Sequence, residues 1–223
     1  MDHAPPVIAI DGPSASGKGT IAAAVAQRLG FHFLDSGSLY RIVGLIGSEQ
    51  GVNLDQDAEI THITLNLKVK FNGAGVFVDT RDVSDLIRGE VAGAAASRVA
   101  ALPGVRTALM TLQRSFRQPP GLVADGRDMG SVVFPDARLK IYLTATAEER
   151  ALRRYKQLIA KGPGASMAAL LQDIRDRDFR DSNRAVAPLL KCSDAVEIDT
   201  TGIPVDTVVA QVLHLYQKQQ KTQ

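Results

Sequence analysis

Short apolar runs alternate along the chain with longer stretches whose apolar positions return at helical spacing. Val7 to Asp11 is the first run, closed by Gly12-Pro13, and predicts a buried strand. Lys18 to Leu29 is Ala-rich and stops at Gly30, the pattern of a helix with a glycine stop. Phe31 to Leu34 predicts a second strand, and a helix over about 38–48 follows. Leu122 to Asp125, Leu139 to Leu143 and Val196 to Asp199 predict three further buried strands, with helices over about 147–161 and 204–218 beside the last two. This alternation predicts an α/β fold: a core of about five parallel strands with helices on both faces, because parallel strands need crossovers.

One stretch departs from the rhythm. Leu65, Leu67, Val69 and Phe71 alternate with polar residues, Asn72-Gly73-Ala74-Gly75 reads as a turn, and Val76-Phe77-Val78 follows. Period-two alternation around Asn-Gly predicts an antiparallel hairpin with one wet face, here a small lobe inserted over about 60–90. Further on, Gly162-Pro163-Gly164 breaks an otherwise helical, Arg-rich region, the punctuation of a segment that moves.

Composition narrows the class. With 223 residues, 45% of them hydrophobic and 22% charged, the chain suits one good-sized folded domain rather than a disordered segment. The single cysteine, Cys192, excludes an internal disulfide framework and fits a reducing compartment. No apolar run is long enough for a membrane span, and Met1-Asp2-His3 lacks the basic start of a signal peptide, so a cytoplasmic protein is expected. A monomer is the expected state. A net charge of +2 is too balanced for a binder of nucleic-acid polymers. Yet Arg150, Arg153, Arg154, Arg175, Arg177, Arg180 and Arg184 crowd one region, interleaved with Asp173, Asp176, Asp178 and Asp181. By itself that is also the pattern of a solvated helix face.

The chemistry concentrates in Gly12-Pro13-Ser14-Ala15-Ser16-Gly17-Lys18-Gly19-Thr20. It fits G-x-x-x-x-G-K, with glycine where Ser or Thr is usual and threonine one place later. Glycines let the backbone wrap a polyphosphate with its N–H groups inward, the following helix adds the positive end of its dipole, and Lys18 reaches the outer phosphates. Standing between a predicted strand and a predicted helix, residues 12–20 are expected to bind a nucleoside triphosphate. Asp125 ends an apolar strand as a magnesium-holding carboxylate does in such proteins, and Thr20 is the other candidate for Mg2+; the plainer role for Asp125 is to cap the next turn.

A guanine-nucleotide switch would need N-K-x-D, which is absent, and the one D-x-x-G match, Asp199 to Gly202, comes too late. A second anionic ligand is better served. Ser36-Gly37-Ser38-Leu39-Tyr40-Arg41 and Gly126-Arg127-Asp128-Met129-Gly130 each follow a predicted strand at the ligand edge of the sheet. Arg177, Asp181 and Arg184 fall at i, i+4 and i+7, predicting one shared helix face. Alternatively, Arg177 and Arg184 only bridge surface aspartates, pairs that contribute about 0–1 kcal/mol.

Taken with Arg184-Ala185-Val186-Ala187-Pro188-Leu189, these pieces make the chain resemble the bacterial cytidylate kinases over about residues 5–215. The resemblance implies a P-loop kinase core that transfers the γ-phosphoryl of ATP to CMP or dCMP, with another nucleoside monophosphate or a small metabolite as the alternative acceptor. It implies that Lys18, Arg127, Arg177 and Arg184 act on the transferring group. Ser36 and Asp128 would contact the cytosine–sugar part of the acceptor, joined by Ser97 and by Arg106, which reads the base. Arg41 would hold the acceptor phosphate, and Arg177 and Asp181 would serve the phosphate and the sugar hydroxyls, with Arg184 nearby. Residues 60–100 would form an acceptor-binding lobe and 154–182 a lid, both closing on binding. Ser16, Ser38 and Leu39 are conservative departures from the family pattern. None of the four histidines lies in these motifs, which suits an acceptor whose phosphate is already anionic near neutral pH and needs no base.

Overall fold

The computed structural model describes residues 4–72, 75–160 and 166–220. The chain divides into two compact units, Met1–Leu34 with Phe116–Gln223, and Asp35–Ser115.

The first unit carries the central sheet. Its strands are β1 (Val7–Asp11), β2 (His32–Asp35), β6 (Leu122–Gly126), β7 (Leu139–Thr144) and β8 (Val196–Asp199), in the order β2-β6-β1-β7-β8. Pairings β1–β6, β1–β7 and β7–β8 are parallel. All five expected strands are present, but only β1 and β6 are buried throughout, while β7 alternates buried and half-buried positions. At the sheet edges, Leu34 is the one buried residue of β2 and Ile198 that of β8, because an edge strand has a neighbour on one side only. Strand β2 also starts one residue later than expected.

Helix α1 (Lys18–Leu29) and helix α8 (Val205–Gln220) cover one sheet face. Ile21, Ala22 and Val25 meet Val208, Val209 and Val212 over Ile8, Ile10 and Ile141, all at most 2% exposed. Full burial of each such aliphatic side chain contributes about 1.5–3 kcal/mol. Chain order reverses at β1: β2 and β6 lie on one side of it, β7 and β8 on the other. The carboxyl end of a strand at such a switch point is where open α/β sheets hold ligands. Two more helices, α6 (Ala147–Ile159) and α7 (Met167–Asn183), pack on each other after β7. The Gly162-Pro163-Gly164 break lies outside the described residues.

The second unit is richer than the expected hairpin lobe. It contains α2 (Ser36–Glu49), α3 (Asp57–Leu65), an antiparallel sheet β3 (Val69–Asn72), β4 (Gly75–Val78) and β5 (Arg81–Asp82), then α4 (Glu90–Val99) and α5 (Pro103–Ser115). The hairpin exists, with Phe71 opposite Val76, while Gly73 and Ala74 of its turn lie outside the described residues. Leu65 and Leu67, however, are not strand residues. Leu65 ends α3 and is 68% exposed, so the apparent alternation joined a helix end to a strand. Ile42, Val78, Val83 and Ile87 form this unit's small core. Helix α2 crosses α4 closely at Gly44, where a methyl group would lie 2.7 Å from the Ala95 Cβ.

Candidate active site

Residues 12–17 link β1 to α1 in a conformation that depends on its glycines. At Gly12 a side chain would meet the Leu143 carbonyl oxygen at 2.1 Å, so β1 can turn here only without one. Gly17 has φ 91°, left-handed backbone that suits glycine. No side chain caps the N-terminus of α1, which leaves its N–H groups and the positive end of its dipole for an anion.

Three carbonyl oxygens of the loop accept side-chain hydrogen bonds. Lys18 Nζ donates to the Pro13 oxygen (3.0 Å), an Arg150 guanidinium nitrogen to the Ser14 oxygen (3.1 Å), and an Arg153 nitrogen to the Ser16 oxygen (3.1 Å). Buried Thr200, just past β8, donates its hydroxyl to the same Ser16 oxygen (3.0 Å). Burial pushes the Lys18 ammonium down to about 7, with the charges of Arg127 and Arg177 adding to the effect and Asp125 and Asp181 opposing it.

Beside the loop lies a cavity of about 660 Å³, whose wall includes Thr20, Arg153, Gln157, Thr200, Ile203 and Val205. An apolar rim next to a phosphate-sized cradle suits a heteroaromatic base joined to a polyphosphate. Thr20 is exposed in this cavity. Buried Asp125 instead lies against Gly19: a methyl group there would be 3.1 Å from its Oδ2. Thus Gly19, where the commoner motif carries a hydroxyl, faces the carboxylate.

At the end of β6, Arg127 Nε donates to Asp181 Oδ2 (2.8 Å). Burial works against both charges. The Arg127 charge and hydrogen bond, with Arg177 and Arg184 adding to them, nevertheless hold Asp181 below the usual carboxylate range, and Asp181 in turn holds Arg127 above its ordinary value. Asp181 is thus buried and paired with an arginine from outside its own helix. Arg177 and Asp181 share a face of α7, but Arg184 is not the next residue on it. The helix ends at Asn183, and Arg184 is extended (ψ 141°), its Nε donating to the Ala187 oxygen (2.6 Å). Asp128 is buried at the start of a π-helical turn (Met129–Val133). The turn is anchored by the Met129 and Gly130 N–H groups, both 2.8 Å from Asp11 carboxylate oxygens. Burial pushes Asp11 up to about 6 despite these bonds.

In the second unit, α2 begins with Asp35 as its cap, accepting from the Ser38 N–H (3.0 Å) and hydroxyl (2.6 Å). Buried Ser36 accepts from the Gln113 amide (2.8 Å). Arg41 donates to the carbonyls of Ile87 (2.7 Å) and Gly89 (3.2 Å). Arg106 is 6% exposed, donates to the Ala100 oxygen, and places its guanidinium 5.9 Å from the Tyr40 ring centre. Ser97 Oγ is buried and has no hydrogen-bond partner among the described residues, so a polar group is left ready for a ligand.

Residues 8–218 match the family model described as cytidylate kinase. The chain belongs to the cytidylate kinase family. It is 53% identical over 216 residues to the cytidylate kinase of Nitrosomonas europaea, covering 97% of each chain. It is 54% identical over 212 residues to that of Polynucleobacter asymbioticus, covering 95% of this chain and 96% of the other. Among solved structures, an uncharacterised protein from Eubacterium ventriosum aligns at TM-score 0.52 and 11% identity, over 95% of this chain and 98% of that one, a likeness of fold alone.

In this member of the cytidylate kinase family the structure adds residues that motif reading passed over. Arg150 and Arg153 counted in the sequence only as members of a charged run, although their spacing of three puts them on one helix face behind the loop. Thr200, Gln113 and Asp11 carry no local signature; each acts through a partner at least 77 residues away in sequence, a separation no short motif records.

Proposed function

We propose that this chain transfers the γ-phosphoryl of ATP to CMP or dCMP, giving ADP and CDP or dCDP. The observation that carries the reading is the phosphate loop, with a nucleotide-sized cavity beside it and buried Lys18 within the field of Arg127, Arg177 and Asp181. An acceptor-phosphate oxygen attacks the γ-phosphorus, the bond to the β,γ-bridging oxygen breaks, and the electron pair leaves with ADP. That oxygen is already anionic, so the protein's task is to align two polyanions and neutralise the charge in transit.

Lys18 leaves the Pro13 carbonyl for the transferring phosphoryl, while the loop N–H groups hold the β-phosphate side. Arg127, Arg177 and Arg184 supply fixed charge, each well-placed contact to developing charge lowering the barrier by about 3 kcal/mol. Asp181 orients Arg127 and accepts from the sugar hydroxyls. On the acceptor, Arg41 serves the phosphate, while Ser36, Ser97, Arg106 and Asp128 serve the cytosine and sugar.

Magnesium fits the residues present. Among the described residues no cluster of three or more His, Cys, Asp or Glu side chains could hold an ion, and Mg2+ in kinases is held mostly by substrate phosphates, with one or two carboxylates. Asp125, buried beside Gly19, would be that carboxylate, directly or through water. A bound ion would there supply positive charge to offset the negative charge of the polyphosphate. Among the described residues no helix is long and apolar enough to cross a membrane. The proposal further takes the enzyme as a cytoplasmic monomer with a lid over 154–182 and an acceptor-binding lobe over 60–100.

The deciding experiment is a coupled ADP-release assay with CMP, dCMP, UMP, AMP and shikimate. We expect turnover to favour CMP or dCMP. Preference for any other acceptor would refute this choice, and ATP binding with no turnover on any of them would refute the transferase reading itself.

A further inference from the structure

A peptide unit carries its C=O and the next residue's N–H in opposite directions, so holding one fixes the other. With the Ser14 oxygen held outward by Arg150, the N–H of Ala15 is turned inward, where phosphate oxygens would lie. This is the strained part of the loop: Ala15 has φ 58°, a left-handed conformation that non-glycine residues seldom adopt. Rotation of the 14–15 peptide would relieve Ala15 and withdraw a donor from the cradle.

Arg150 is tied at every corner. Its Nε donates to the Ala145 oxygen (3.0 Å), one terminal nitrogen to both the Ser14 oxygen (3.1 Å) and Asp178 Oδ1 (2.9 Å), and the other to Asp178 Oδ2. Of five guanidinium N–H groups at most one is left over. The residue is 4% exposed and does not line the nucleotide cavity. It is therefore placed to act on the loop and not on the nucleotide. Its anchor, Asp178, sits on α7 directly after Arg177 and one turn before Asp181.

We propose that Arg150 is a positioning residue that sets the phosphate loop from behind through the Ser14 carbonyl, and that its grip on Asp178 makes the fit of the loop depend on α7. The inference rests on the ATP-binding reading above and assigns a new role within it. Asp178, which touches neither the loop nor the cavity, thereby acquires an effect on ATP affinity, transmitted only through Arg150. Arg153 is the contrast: it holds the Ser16 oxygen but ties back to Glu149 and Thr200, with no link to α7.

The test is calorimetric titration of a non-hydrolysable ATP analogue into the full chain and its Asp178→Asn, Arg150→Lys and double variants, with KM for ATP, kcat and thermal melting measured in parallel. Arg150→Lys keeps the charge and loses the fork, and should weaken analogue binding about tenfold. Asp178→Asn should weaken it several-fold, with KM for ATP rising more than kcat falls, and the double variant should be no worse than Arg150→Lys. Analogue affinity within about twofold of the parent for Asp178→Asn, or defects that multiply in the double variant, would overturn the proposal. Lower melting with unchanged analogue affinity would do the same, since that is what a purely structural pair gives. If Arg150→Lys does not fold, the Asp178→Asn titration decides alone. The titration needs no acceptor, so an enzyme inactive on CMP would refute the function above without disturbing this reading.

Discussion

Lys18 on the phosphate loop rests on the Pro13 carbonyl 3.0 Å away, whereas Arg127 at the end of β6 is locked to the Asp181 carboxylate at 2.8 Å. Both cations are largely buried, yet their surroundings move them in opposite directions. Burial takes Lys18 down to about 7, close to working pH, while Asp181 outweighs burial at Arg127 and keeps it firmly charged. A neutral carbonyl cannot replace the water that an ammonium gives up; a hydrogen-bonded carboxylate can. The loop therefore waits for its ligand to complete it, and the arginine cluster is set beforehand.

The largest effect that would sharpen this contrast is on turnover. Lys18→Ala should lower kcat about 10²–10³-fold in the coupled assay, as the loss of one donor to developing charge does. Stability should then separate the two regions. Asp181→Ala leaves Arg127 buried without its partner and should reduce unfolding free energy by about 3 kcal/mol in denaturant titration, with a raised KM for CMP. Lys18→Ala removes a buried cation and should melt no lower than the parent. Equal losses in the two variants would break the comparison.

The smallest effect is a proton. Phosphate beside Lys18 should restore its charge, so binding the ATP analogue at pH 8 should take up nearly one proton, seen as a dependence of the calorimetric heat on buffer ionisation enthalpy. Lys18→Met should abolish that dependence. The sign for the empty enzyme follows the same shift. Between about 7 and the ordinary 10.5 the unfolded chain holds a proton that folded Lys18 lacks. Stability contributed at this position therefore rises with pH across that window and is lowest below it.

What could be read from the sequence follows where local pattern and function agree. Strands β1 and β6 open as unbroken apolar runs, and the phosphate loop is a contiguous motif between a strand and a helix, so both are visible in the sequence. Helices α4 and α5 are not. The buried side of α4 consists of Ala92, Gly93, Ala95, Ala96 and Val99, small residues that raise no apolar stripe. That of α5 includes Arg106 and Gln113, polar groups buried where the apolar pattern of a core helix would otherwise run. Arg184 falls off the expected helix face for a related reason: a spacing of seven from Arg177 fits a helix, and Arg-Asp-Ser-Asn-Arg contains neither the glycine nor the proline that usually announces a stop.

The close approach of Gly12 to the Leu143 carbonyl has a mechanical consequence. Where the loop leaves β1 it is braced against the neighbouring strand with no slack for a side chain, so its entry moves only with the sheet. Any breathing of the cradle during a catalytic cycle has to arise further along, on the helix side, and a spectroscopic reporter of that motion belongs there.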